Sequence, residues 1–182
     1  GRLVWIPEAR IWLMEHEVTQ GEWRSVMGGN PSYFSKCGDR CPVERVSWTA
    51  ATTFAERVTR LDDAFYRLPT EAEWEIAAGA LVYAGSDRLD AVGWYAGNSG
   101  GSTHPVCEKV PTERGLCDLT GNVWEWTATP DGVSRVIRGG GWFDSARFAV
   151  RTNRLLNATG NKHAYLGFRL AIPDVPAPAA TP

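Results

Sequence analysis

Gly121-Asn122-Val123-Trp124-Glu125-Trp126 is a Gly-Asn turn signal followed at once by bulky alternation, with Trp124 and Trp126 on one face of a strand that runs over residues 122–127. Residues 134–138 read as a second strand entering Gly139-Gly140-Gly141-Trp142, and residues 166–172 as the strand that closes the domain. Beyond that strand the chain is rich in Pro and Ala without core-forming positions. The reading is a domain over residues 1–172 and a tail over residues 173–182.

Toward the N-terminus the period changes from two to helical. In Arg67-Leu68-Pro69-Thr70-Glu71-Ala72-Glu73-Trp74-Glu75, Thr70 and Glu73 form a capping box that starts a short helix. The favourable dipole at a helix start explains Glu71, Glu73 and Glu75 without acid–base chemistry. Ser47 reads as the cap of a second helix, with Trp48, Ala51, Ala55 and Val58 at helical spacing as far as Leu61-Asp62-Asp63. Thr19 and Glu22 make another capping box, for a helix carrying Trp23, Val26 and Met27 that follows a strand within residues 10–18. Gly28, Gly29, Asn30 and Pro31 stop it. Residues 79–113 are rich in Gly, Ser, Asn and Pro, which predicts long surface loops held by Trp94 and Tyr95. Nine tryptophans seated among such loops suit an irregular α+β domain better than a doubly wound sheet.

At 182 residues, 43% hydrophobic and 22% charged, one domain with its own core is expected. Its 19 basic and 21 acidic residues are interspersed, for a net charge of -2, which argues against a nucleic-acid partner or a polybasic membrane patch. The longest apolar stretches, such as residues 77–84, fall far short of the roughly 20 needed to cross a bilayer, and residues 1–6 are no signal peptide. No membrane insertion by this domain is therefore expected, and the chain is taken to be a monomer. A start at Gly1 leaves room for a trimmed signal or anchor. His16 and His104 have no acid or nucleophile partner visible in the sequence.

Cys37 with Cys41, and Cys107 with Cys117, form two local groups that permit two short-loop disulfides in an oxidising compartment, which would favour an extracytoplasmic or cell-surface location. Zinc is less well suited, because separations of four and ten residues do not match Cys-x-x-Cys knuckles and no histidine sits beside either group. Buried free thiols in a reducing compartment remain the other reading.

Seven segments occur in order: Glu17-Val18-Thr19-Gln20, Asn30-Pro31-Ser32-Tyr33-Phe34, Pro42-Val43-Glu44-Arg45-Val46-Ser47-Trp48, the helix start at Arg67, Gly121 to Trp126, Arg138-Gly139-Gly140, and Leu166-Gly167-Phe168-Arg169. The set resembles the signature of the formylglycine-generating-enzyme (sulfatase-modifying factor) family. That resemblance implies an irregular α+β, C-type-lectin-like fold with short helices, small antiparallel sheets and termini brought together. The family's enzymes are copper oxidases that convert a sulfatase cysteine to formylglycine with a cysteine pair placed between the Arg-Gly-Gly and Gly-Phe-Arg segments. Residues 142–154 of this chain contain no cysteine, so no thiolate stands there to hold Cu(I), and neither copper nor catalytic residues are expected.

The resemblance also implies a calcium site made from Asp118, backbone oxygens of Gly121 and Val123, and the Glu125 carboxylate, an all-oxygen set suited to a hard cation. Local hydrogen bonding by Glu125 is the alternative, and Asn98 is a loose candidate for a second site. Residues 138–171 are in addition similar to the variable region of proteins diversified by diversity-generating retroelements, which use this fold. Phe143-Asp144-Ser145, Leu155-Leu156-Asn157 and His163-Ala164-Tyr165 stand where such proteins carry asparagine runs, and each residue type arises from an Asn codon by adenine substitution.

That similarity implies a non-catalytic domain whose C-terminal face binds a protein or other macromolecule through Phe143, Asp144, Ser145, Arg147, Phe148, Leu155, Leu156, Asn157, His163, Ala164 and Tyr165. Phe143, Phe148, Leu155, Leu156 and Tyr165 would form an apolar patch rimmed by Asp144, Asn157 and His163. Phe148 and the leucine pair read equally well as core. The competing functions are a formylglycine-generating-type oxidase or related oxygen-dependent enzyme acting on protein cysteine, and a structural domain fused to a kinase or membrane anchor.

Overall fold

The computed structural model describes residues 1–174. Two strands, β1 (Leu3–Ile6) and β2 (Ile11–Met14), form an antiparallel hairpin that buries Val4, Ile6, Ile11 and Leu13 on one side. Three capped helices follow. Thr19 accepts from the Glu22 N–H while the Glu22 carboxylate accepts from the Thr19 N–H, which closes the expected capping box at the start of α1 (Gln20–Met27). Ser47 caps α2 (Trp48–Leu61), and the Thr70–Glu73 box starts α3 (Glu71–Ala78). The region expected to be loop throughout contains one further turn of helix, α4 (Leu89–Val92).

Strands β3 (Trp124–Asp131) and β4 (Ser134–Arg138) pair antiparallel, with Glu125 opposite Arg138. On the outer side of β4 lies β5 (Arg154–Ala158), and on the outer side of β3 lies the two-residue strand β6 (Leu166–Gly167). The β3–β6 pair is parallel, a departure from the all-antiparallel expectation. The expected closing strand is divided. Its first two residues form β6, and Phe168, Arg169 and Leu170 then cross, fully buried, to β7 (Ala171–Pro173), which pairs with β2. One short segment thus links both sheets and brings the C-terminal strand onto the N-terminal hairpin. Pro173 lies opposite Ile11, and the Asp174 N–H donates to the Arg10 carbonyl at 2.9 Å, so the domain holds the chain past residue 172; residues 175–182 of the expected tail lie outside the described residues.

The core is built of rings. Trp23 stacks on Phe54 at 5.4 Å, and Phe168 meets both edge-on. A buried indole needs a partner for its N–H. Trp126 donates to the Val46 carbonyl at 2.9 Å, Trp48 to the Thr127 carbonyl at 2.9 Å and Trp74 to a Glu125 oxygen at 3.0 Å, so each ring fixes one loop or strand to another.

Cys37–Cys41 and Cys107–Cys117 are disulfides, with Cα separations of 5.9 and 5.1 Å. Glu15 lies beside the second pair, but sulfurs bonded to each other offer no thiolates, so both the zinc and the free-thiol readings fall. Among the described residues no helix is long and apolar enough to cross a membrane.

Candidate binding surface

A buried ionic cluster ties β3 to the crossing segment 168–170. Arg169 is wholly buried; its Nε and Nη2 donate to the two oxygens of Glu125 at 2.8 and 2.7 Å, and its remaining N–H groups reach the carbonyls of Met14, Glu15 and Cys117. Glu17 accepts from the Val123 N–H at 3.0 Å and the Asn122 amide at 2.7 Å. Burial, with the Asp118 and Glu125 carboxylates nearby, holds the Glu17 carboxyl well above its ordinary range. Burial also pushes Asp118 up to about 6, against the pull of the Cys107 N–H and Arg169.

These contacts decide how the expected calcium donors stand. Asp118 has one oxygen without a partner, as a ligand would. Glu125 does not: both its oxygens are taken by a guanidinium and an indole, and a cation already stands where the ion would have to approach. Gly121 and Val123 would offer only neutral backbone carbonyls, which do not replace the carboxylate charge that Arg169 takes up at Glu125. In this arrangement the four residues do not fit calcium. Asn98 is occupied within its own loop, accepting from the Tyr95 N–H and donating to the Gly93 carbonyl. Millimolar calcium or a chelator is therefore expected to leave the thermal midpoint unchanged; a saturable upward shift with calcium would show these donors assembling differently.

Arg138, only 1% exposed, anchors the start of the C-terminal stretch through Glu71 at 3.0 Å, Glu75 at 2.6 Å and the Arg151 carbonyl at 2.8 Å. The first and last glutamates of that helix start therefore do more than favour a dipole. Gly140 then turns the chain at φ 79, where a Cβ would meet the Phe148 carbonyl at 3.1 Å. Asp144, expected on a polar rim, is buried instead: it accepts from the Trp124 indole at 2.6 Å and the Gly141 N–H at 2.9 Å, and burial raises its carboxyl. Asp144 is a pin that fixes the loop from below.

On this frame Phe143, 42% exposed, lies 4.6 Å from Tyr165, and His163 stacks on Tyr165 at 4.8 Å. Three of the expected residues are brought together. Ala164 contributes its carbonyl, which accepts from the Trp142 indole at 3.0 Å and locks the two segments together. Ser145 and Arg147 are exposed, and the Arg147 guanidinium covers half-buried Phe148 at 4.7 Å.

Leu155 and Leu156 do not share a face with each other. They are successive residues of β5, opposite Ile137 and Val136, and point to opposite sides of the sheet. Asn157 is buried and bonded to Asn161, so it too leaves the expected rim. The sequence reading missed three rings that join Phe143: Trp142 at 5.5 Å, then Phe34 at 5.1 Å from Trp142, then Tyr33 at 5.0 Å from Phe34. No local pattern announces a contact across more than 100 residues.

The description "Sulfatase-modifying factor enzyme 1-like domain" matches residues 4–173. "Chaperone protein LppX" of Paenibacillus barcinonensis is 32% identical over 202 residues, covering 76% of this chain and 71% of that protein. "Inactive C-alpha-formylglycine-generating enzyme 2" of Mus musculus is 34% identical over 191 residues, 91% of this chain; the chain spans only 58% of that relative's length. Other relatives are named formylglycine-generating enzyme. Among solved structures, Treponema denticola variable protein 1 superposes with a TM-score of 0.83 at 28% identity, over 94% of this chain and 91% of its own. The short helices and two small sheets are thus the C-type-lectin-like fold of the formylglycine-generating type.

Proposed function

The chain belongs to the sulfatase-modifying factor enzyme 1-like family, and from that premise we propose that this domain is a non-catalytic binding module of the variable-protein kind, meeting a protein or other macromolecule through residues 138–171. One observation carries the reading. In the stretch without cysteine, a partly exposed cluster of Phe143, His163 and Tyr165 sits on a loop frame locked by Arg138 and Asp144. Rigid rings with few torsions lose little entropy on binding, and a frame fixed from below lets their identity change without touching the core. The relatives named inactive and chaperone support such a role, and the two disulfides support an oxidising, extracytoplasmic setting.

The test is in the DNA around the gene. The variable-protein reading expects a near-identical repeat of the segment encoding residues 138–171, differing mainly at adenines and lying beside a reverse transcriptase. A complete locus without such a repeat removes that reading.

A further inference from the structure

We propose that the binding surface extends beyond residues 138–171 onto loop 30–34, and that the joined surface takes an acidic segment of a partner protein in extended form; this rests on the binding-module reading above. The rings Tyr33, Phe34, Trp142, Phe143, Tyr165 and His163 follow one another at centroid spacings between 4.6 and 5.5 Å. Their path is at most about 25 Å long, room for about seven extended residues.

The added arm is built in advance of any ligand. The Phe34 N–H donates to the buried Glu44 carboxylate at 2.8 Å, and its carbonyl accepts from the fully buried Gln20 amide at 3.1 Å. Gln20 also accepts from Asn30 at 2.8 Å, and Asn30 accepts from the Ser32 N–H, so the loop is tied at both ends. None of these ties involves residues 138–171. A preformed arm costs little ordering entropy when a partner docks. Tyr33, at its tip, is 66% exposed.

Charge indicates the partner's chemistry. Lys36 lines a surface cleft of about 500 Å³ together with Tyr33 and Phe34. At the other end of the row the Arg45 N–H donates to the His163 carbonyl at 3.0 Å, and Lys162 adjoins His163. Lys36, Arg45 and Lys162 are exposed, and none has an ion-pair partner among the described residues. Residues 31–36, 142–143 and 160–165 contain no Asp or Glu, while the flanking Glu44 and Asp144 are buried. The charges offered to a ligand along this row are therefore positive, and carboxylates complement them.

A single-stranded nucleic acid is disfavoured by ring geometry. Tyr33–Phe34 and Phe34–Trp142 meet at 88° and 86°, edge to face, so neighbours cover ring faces on which bases would stack.

Fluorescence anisotropy on the full chain tests this, with labelled random Glu-Tyr copolymer as the probe and Lys-Tyr copolymer and oligo-dT as controls. The proposal expects the acidic copolymer to bind best and the triple variant K36E/R45E/K162E to weaken it by about tenfold or more. Tyr33→Ser, at an exposed tip, is expected to weaken it severalfold with an unchanged thermal midpoint. If Phe143→Ser abolishes binding while Tyr33→Ser and the charge reversals leave it intact, the extension fails and the binding-module reading stands. If Phe143→Ser is also without effect, both lose support; if no copolymer binds, the acidic-segment proposal fails by itself. Preferential binding of oligo-dT overturns the choice of an acidic protein segment.

Discussion

Arg169→Met is expected to destabilise the domain by about 3–5 kcal/mol, a large part of what a domain of this size possesses. The wild-type guanidinium is wholly buried, pairs with both oxygens of Glu125 and caps the carbonyls of Met14, Glu15 and Cys117. Its removal leaves Glu125 buried without its cation, with Glu17 and Asp118 close enough to add repulsion. Methionine fills much of the volume but supplies none of the donors.

The loss has a pH signature. Asp118 is raised from 3.8 to about 6 and Glu17 is raised as well, so the fold favours their protonated forms. Stability tied to Asp118 is fully present below its unfolded pKa and is lost as pH rises through about 6. Without Arg169 both carboxyls move higher still, and the deficit of the variant should be smaller at about pH 5 than at about pH 7.5. Urea titrations at the two pH values check this. A near-wild-type midpoint, or a deficit larger at the lower pH, would show that Arg169 does not balance this cluster.

Gly121→Ala is expected to cost on the order of 3 kcal/mol or to prevent folding. Gly121 has φ 76, and an added Cβ would lie 2.1 Å from the Trp94 carbonyl oxygen and 2.8 Å from two further backbone atoms of Trp94. None of these atoms belongs to a side chain that can turn away. The adjoining Asn122 N–H donates to that same carbonyl at 2.8 Å, so moving it apart also breaks a buried hydrogen bond. Gly100→Ala provides the contrast. It has φ 62 but open space around its Cβ position, so only the left-handed backbone penalty of about 1–2 kcal/mol applies. Equal thermal shifts in the two variants would contradict the steric account.

The helices were legible because their starts are local chemistry: Thr19 with Glu22, Ser47, and Thr70 with Glu73 each satisfy backbone donors within one turn. Strand β5 was not legible, because Arg154, Leu155 and Leu156 are all exposed, and what holds the strand is backbone pairing to β4 and the reach of Arg154 to the distant Glu71 and Asp131. The division of residues 166–173 between two sheets was hidden as well: a fully buried crossing segment shows no period that separates it from a strand. At the candidate site, the family motifs located the loop, but burial of Asp144 depends on the Trp124 indole 20 residues away. The union of Phe143 with Phe34 and Tyr33 depends on packing of Trp142 between distant loops.

A binding module on a scaffold shared with formylglycine-generating enzymes is told apart from an oxidase by copper-dependent oxygen uptake with a sulfatase-type cysteine peptide, the product being read by mass. The expected rate equals the protein-free blank at every copper concentration, because all four cysteines are committed to disulfides and residues 142–154 contain none. Saturable, copper-dependent conversion of the peptide cysteine to formylglycine would contradict it.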